Sequence, residues 1–167
     1  SQAQRVHEII LATREEDLLP IGALIKSCAI AKPVRIVCGG QERLDSVYQA
    51  CLEADPRAQL IAVHDGARPL VRPELIDQVI EKAQLCFAVA PAVPVTDTVK
   101  RAEDGVVKET LRREELFAVQ TPQVFDAGLL KAALQSARAE HALVTDDCAC
   151  VERLGKQVYL TEGDPEN

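Results

Sequence analysis

Aromatic side chains are almost missing: three Phe, two Tyr and no Trp among 167 residues. That scarcity argues against binding single-stranded nucleic acid by stacking its bases on rings. Positive charge is in deficit as well. Nineteen Lys and Arg against 26 Asp and Glu leave a net charge of −7, the wrong sign for a protein whose main partner is a nucleic-acid backbone. A small phosphorylated ligand stays open, because a few clustered Arg and Lys suffice for it. No apolar run approaches the roughly 20 residues that cross a bilayer, and no signal peptide is visible. We therefore expect a soluble cytoplasmic protein (stromal in a plastid-bearing source) with no membrane partner. Methionine is absent even at position 1, from which we expect a processed chain or a piece of a longer product.

The six cysteines, Cys28, Cys38, Cys51, Cys86, Cys148 and Cys150, include no CxxC pair. Cys148 and Cys150 are close in sequence but have no His nearby, so a zinc site is not indicated. Several lie among apolar residues, as small buried hydrophobes do, and all are expected as reduced structural thiols.

What is present is an ordinary globular balance, 47% hydrophobic and 27% charged, enough for one domain with a sizeable core. Glu8–Ala12, Arg35–Cys38 and Leu60–Val63 are short apolar runs fit for buried strands. A helical pattern runs from Glu15 to about Ala31 and is expected to break at Pro20. Leu44, Val47, Tyr48, Cys51 and Leu52 follow helical spacing with one apolar face. Pro73 opens another helix, with Leu75, Ile76, Val79 and Ile80 on its inner side. Phe87 to Val95 fits a strand, and Val158–Leu160 a last one. Asp126 is placed to cap a helix, and Thr145 or Asp146 another that ends near Gly155. Strands alternating with helices predict an α/β domain with a mostly parallel sheet. Asp104-Gly105, between two alternating stretches, signals a hairpin; it is too polar for core, so residues 94–115 are expected to project as an arm.

In such sheets ligands collect beyond the carboxyl ends of the strands, and two loops there carry useful chemistry. Gly39-Gly40-Gln41-Glu42-Arg43-Leu44-Asp45-Ser46 joins a strand to a helix. Its glycines allow close backbone approach, and the helix start favours an anion or an acceptor; a plain turn would look similar. His64-Asp65-Gly66-Ala67-Arg68-Pro69 follows the apolar strand. Asp65 is placed to hold a hard cation such as Mg²⁺, and Arg68 to clamp a phosphate; a surface ion pair is the plainer alternative. His64 is more readily a hydrogen-bonded structural residue. Thr98, Arg113, Gln120-Thr121-Pro122-Gln123 and Thr145-Asp146-Asp147 lie in further loops, where hydroxyls and basic groups suit phosphate recognition.

Taken together, these segments resemble the 2-C-methyl-D-erythritol 4-phosphate cytidylyltransferases of the non-mevalonate isoprenoid pathway. Gly39-Gly40 with Arg43 and Ser46-Val47 is similar to that family's GGxxRxxSV loop, and Val63 to Pro69 to its VHDAARP signature, with Gly66 for the usual Ala. Pro94-Val95 with Asp97 to Lys100 matches PVxDTxK, and Thr110, Arg113 and Leu116 match TxxRxxL. Gln120 to Phe125 follows QTPQxF, then Thr145-Asp146-Asp147 and Glu162-Gly163 keep the order, and Asn167 stands where an N-x-K-x-T ending begins. The likeness runs from about residue 34 to the end.

The resemblance implies a Rossmann-like nucleotidyltransferase fold and a homodimer whose arms reach across to the partner. It implies that Gly39, Gly40, Gln41 and Ser46 hold the cytosine end of CTP, and that Asp65 binds Mg²⁺. Arg68, Thr98, Arg113, Thr121 and Thr145 would surround the polyol phosphate, with Asp65, Arg68 and Arg113 the groups most involved in catalysis. The family opens with a Gly-rich AAGxGxRM loop and a PKQ element, and closes with a Lys motif; the 167 residues contain none of these. The domain is accordingly expected to be truncated at both ends and to come from an active parent, which in a bifunctional version continues into a cyclase domain. Alternatives are a ribitol 5-phosphate cytidylyltransferase and a non-catalytic dimeric module.

Overall fold

A computed structural model describes residues 2–167. The chain is α/β, with strands β1 (Ile9–Thr13), β2 (Val34–Cys38), β3 (Leu60–Val63), β4 (Ala88–Pro94), β5 (Lys100–Glu103), β6 (Val106–Thr110), β7 (Phe117–Val119), β8 (Gln123–Asp126) and β9 (Tyr159–Glu162). The helices are α1 (Leu18–Ser27), α2 (Arg43–Leu52), α3 (Pro73–Cys86), α4 (Ala127–Ala139) and α5 (Asp147–Arg153). β4 is the centre of a five-stranded sheet. β9 lies parallel along one of its edges, while β7 and β8 pair antiparallel with successive parts of the other. β3 pairs antiparallel with β8. The sheet is therefore mixed, with less parallel pairing than alternation of strands and helices suggests. The reason is β8, a four-residue strand that enters between β3 and β4 against their direction.

Period-two alternation sorts the core. Ala88, Ala90 and Phe125 pack with Leu130, Ala133, Leu134 and Val151 on one face. Val89 and Val124 face the other way, onto Leu75, Val79 and Ala83 of α3. Helices thus cover both faces. β1 and β2 form a separate parallel pair, in register from Ile9–Val34 to Thr13–Cys38. α2 touches both of them and also α4, which joins the pair to the main body. Between β1 and β3 lies an open cavity of about 1850 Å³, lined by Ile9–Ala12 and Leu60–Val63. The two strands expected to be buried are consequently only half-buried or exposed along their length.

Pro20 does not break its helix. It is the third residue of α1, where the backbone amides have no intrahelical partner to lose. Phe87 is not a strand residue but closes α3 in the left-handed region, at φ 66°. Gln123 belongs to a strand, not a loop. The hairpin is as read: Asp104 and Gly105 both have positive φ, 50° and 77°, as a type I′ turn requires. Every residue of β5 and β6 is exposed.

The cysteines are free thiols, with Cys28 and Cys38 exposed and Cys51, Cys148 and Cys150 buried. Burial penalises the thiolate and pushes Cys51 up to about 12 and Cys150 up to about 11; Cys148 rises for the same reason. Because the thiolate is the nucleophile, alkylation at pH 8 is expected to modify Cys28 and Cys38 rapidly. The three buried thiols should react only after denaturation. Peptide mapping of alkylated cysteines checks this, and rapid modification of Cys51 in the folded protein would contradict the packing.

Candidate functional site

The glycine turn is built by close approach. β2 ends at Cys38, and Gly39 N–H still donates to the Thr13 carbonyl of β1 at 2.7 Å. The chain then folds back so that Gly40 N–H donates to Ser46 Oγ at 3.1 Å, while that hydroxyl donates to the Glu42 carbonyl at 3.1 Å. A Cβ on Gly39 would stand 2.7 Å from Ser46 Oγ, and one on Gly40 would run into Asp45 Cβ. Glu42 caps α2 without a side-chain bond to its first turn, so that turn keeps donors for a ligand. Gln41 is exposed beside it.

The register of β3 with β8 sets Val63 opposite Gln123, which brings the Thr121 loop beside His64 and Asp65. Asp65 N–H donates to Thr121 Oγ1 at 3.1 Å, and Thr121 Oγ1 lies 2.9 Å from His64 Nδ1. His64 Nε2 lies 3.1 Å from the Arg68 carbonyl. A carbonyl only accepts, so Nε2 carries the proton; in the neutral ring Nδ1 then accepts from the Thr121 hydroxyl. His64 is a clamp that fixes the turn, the structural role expected of it. Arg68 donates to the Asn167 carbonyl at 2.8 Å and stands 3.6 Å from Asp65 Oδ2.

Arg43 links the two turns. Its terminal nitrogen lies 2.7 Å from Asp147 Oδ2 and 3.5 Å from Asp65 Oδ1. The Asp147 side chain is 1% exposed, and burial raises its pKa even against the pull of Arg43. Burial alone would lower the Arg43 pKa, but the hydrogen bond and charge of Asp147 raise it. The start of α5 is held by Gln123, whose Oε1 accepts from Asp147 N–H and Cys148 N–H and whose amide donates to Asp146 at 2.8 Å. Asp146, not Thr145, is the cap of α5.

Of the residues singled out in sequence, Gly39, Gly40, Ser46, Asp65, Arg68 and Thr121 are tied into this cluster by the bonds above. Gln41 extends it, and Thr145 flanks it at the exposed entry to α5. Thr98 and Arg113 are exposed on either side of the β5–β6 hairpin, where Arg113 donates to the Thr96 carbonyl at 3.1 Å. Sequence reasoning quoted Arg43, Asp147, Gln120 and Gln123 within their segments but gave none of them a role of its own. The signal available was Arg43 inside the glycine motif; its partner lies 104 positions away.

The family model for 2-C-methyl-D-erythritol 4-phosphate cytidylyltransferase (IspD) matches residues 1–167. The chain belongs to this family. The 2-C-methyl-D-erythritol 4-phosphate cytidylyltransferase of Bacillus thuringiensis is 46% identical over 155 residues, covering 93% of this chain and 68% of the relative. That of Halalkalibacterium halodurans is 43% identical over the same length. Among solved structures, a 4-diphosphocytidyl-2C-methyl-D-erythritol synthase from Anaerococcus prevotii superposes with a TM-score of 0.92 at 30% identity, over 99% of this chain and 74% of that one. The Thermus thermophilus cytidylyltransferase gives 0.76 at 31% identity, over 96% and 90%. The match to the cytidylyltransferase family thus extends the resemblance, read from about residue 34, back over β1 and α1.

The glycine turn offers a direct check. In Gly40→Ala the added methyl opens the turn, at an expected cost of about 1–3 kcal/mol, the usual range for overpacking. Gly66→Ala, where nothing lies within 4 Å, should be neutral. Denaturant unfolding of both variants measures the difference; equal midpoints would mean the turn is not close-packed.

Proposed function

We propose that the chain is part of a catalytic unit for transfer of a cytidylyl group from CTP to the phosphate of 2-C-methyl-D-erythritol 4-phosphate. The products are 4-diphosphocytidyl-2-C-methyl-D-erythritol and pyrophosphate. The observation that carries this reading is the meeting of the Gly39–Ser46 turn with the Asp65–Arg68 turn through Arg43, in a chain belonging to this family. The names of the relatives supply the two substrates.

The chemistry needs alignment and neutralisation of charge more than proton transfer. A phosphate oxygen of the polyol phosphate is already ionised at neutral pH. It attacks the α-phosphorus of CTP as the bond to the β-phosphate breaks, and pyrophosphate leaves with its electron pair. No base has to remove a proton. The protein's part is to hold two anions in line and offset their repulsion. Gly39, Gly40, Gln41 and Ser46 hold the cytosine end. Arg68, Thr121 and Thr145 face the polyol phosphate.

Asp65 fits a Mg²⁺ that arrives with the triphosphate. It is a single carboxylate, 39% exposed, at 3.5 and 3.6 Å from two guanidinium groups rather than locked to either. Among the described residues no three His, Cys, Asp or Glu side chains gather as an all-protein cation site. One carboxylate plus phosphate oxygens and water is the usual Mg²⁺ arrangement, and the ion would supply charge stabilisation at the triphosphate. The arm, residues 94–115, pairs the chain with a second copy, and Thr98 and Arg113 serve the neighbouring site from it. The cytoplasm is the expected compartment; no helix among the described residues is long and apolar enough to cross a membrane. Turnover also draws on the Gly-rich loop and the Lys motif of the family, neither present in these 167 residues.

Pyrophosphate release with Mg²⁺, CTP and either methylerythritol 4-phosphate or ribitol 5-phosphate tests the reading, on this chain and on a version extended at both ends. Release with the first polyol supports it. Release with ribitol 5-phosphate alone moves the substrate, and none in any combination leaves a non-catalytic dimeric module. In the active form, Asp65→Asn should lower turnover at least about a hundredfold, since charge stabilisation in such sites carries that much of the rate. Its melting temperature should stay close to that of the parent.

A further inference from the structure

We propose that Asp147 is a positioning residue that keeps Asp65 available, by holding the guanidinium of Arg43 away from it. The inference rests on the reading of Asp65 as the carboxylate that meets the nucleotide-borne cation. One nitrogen of Arg43 faces both carboxylates, at 2.7 Å from Asp147 and 3.5 Å from Asp65. The competition between them is decided by solvent. Asp147 is 1% exposed, and its Oδ1 has no hydrogen-bond partner among the described residues. Only Arg43 among them compensates its side chain, and water cannot replace that contact. Asp65 is 39% exposed and can exchange a guanidinium for water or a cation at little cost. Arg43 therefore stays with the buried carboxylate.

The backbone reinforces this division. Gln123 fixes the amides of Asp147 and Cys148 from β8, and the same strand register presents Thr121 to Asp65 N–H. The two carboxylates thus have fixed origins and Arg43 is the movable member, a long side chain 40% exposed. If Asp147 loses its charge, the nearest carboxylate left for Arg43 is Asp65. A guanidinium bound there occupies the oxygens that a cation needs.

The test is calorimetric titration of Mn²⁺ into the protein with CTP present. Asp147→Asn, which keeps the shape of the side chain, should weaken Mn²⁺ binding about tenfold, the lower end of what outer-shell changes cost a metal site. Adding Arg43→Gln to it removes the competitor and should return the affinity to within about threefold of the parent. A purely structural role for Asp147 gives the opposite: a double variant no better than the single one, with both melting early. Should Asp147→Asn fail to fold, the double variant Arg43→Gln/Asp147→Asn decides, since it leaves neither a competitor for Asp65 nor an unpaired buried charge: it should bind Mn²⁺ within about threefold of the parent, and a tenfold loss there overturns the proposal. No Mn²⁺ binding by the parent defeats the reading of Asp65, and this inference with it. Binding by the parent that Asp147→Asn leaves unchanged defeats this inference alone.

Discussion

A carboxylate with 1% of its side chain exposed cannot stay charged inside a protein without a close counter-ion. Asp147 is such a group, and the Arg43 contact at 2.7 Å is what it depends on. Satisfying it draws together two parts of the chain that are far apart in sequence, the first turn of α2 and the start of α5, with the turn after β3 beside them at 3.5 Å from the same guanidinium. That demand largely sets the geometry of the candidate site. Buried ion pairs contribute little net stability, but breaking one leaves an uncompensated charge. The pair therefore acts as a constraint on where the loops sit rather than as a source of folding energy.

The second constraint is the pairing of β8. It is only four residues long and its neighbours run against it, yet it carries Val124 and Phe125 into opposite cores. Its first residue and the connection before it also carry polar side chains into the interior. Gln120 and Gln123 are 5% and 2% exposed, and both are tolerated because their amides are satisfied: Gln123 at the start of α5, and Gln120 by the Asp164 backbone at 2.8 and 3.1 Å. A buried amide that makes its hydrogen bonds costs little, and it gives the sheet a fixed polar edge on which loops can be set.

Much of this was legible in the sequence, for reasons that can be named. α2 and α3 announce themselves by helical spacing of apolar residues, and α3 and α4 by Pro73 and the Asp126 cap. The I′ turn at Asp104-Gly105 needs two positive φ values, which that dipeptide supplies. The glycine turn and the Asp65 turn were recognisable because their residue types are locally unusual. What stayed hidden was non-local. β7 and β8 are too short to show a period, and QTPQ looks like a loop because its glutamines are polar. Only the tertiary structure shows that those glutamines are buried and bonded. Asp147 read only as the last residue of the Thr145-Asp146-Asp147 loop segment, since nothing near it in sequence reveals that Arg43 arrives from 104 residues away.

The half-burial of β1 and β3 has its origin in the same architecture. Both strands are apolar enough for an interior, yet they border an open cavity and are not paired with each other. The β1–β2 pair is instead held by α2, which packs on α4. The glycine turn grows from the end of β2 and the Asp65 turn from the end of β3, and Arg43 and Asp65 both line the cavity. Two ion pairs reinforce that packing of α2. Arg43 is the direct bridge, and the Asp45–Arg138 contact at 2.7 Å ties the same α2 turn to α4. A site whose halves are joined this way is sensitive to single charge changes, and that sensitivity is concentrated on the buried carboxylate that anchors the bridge.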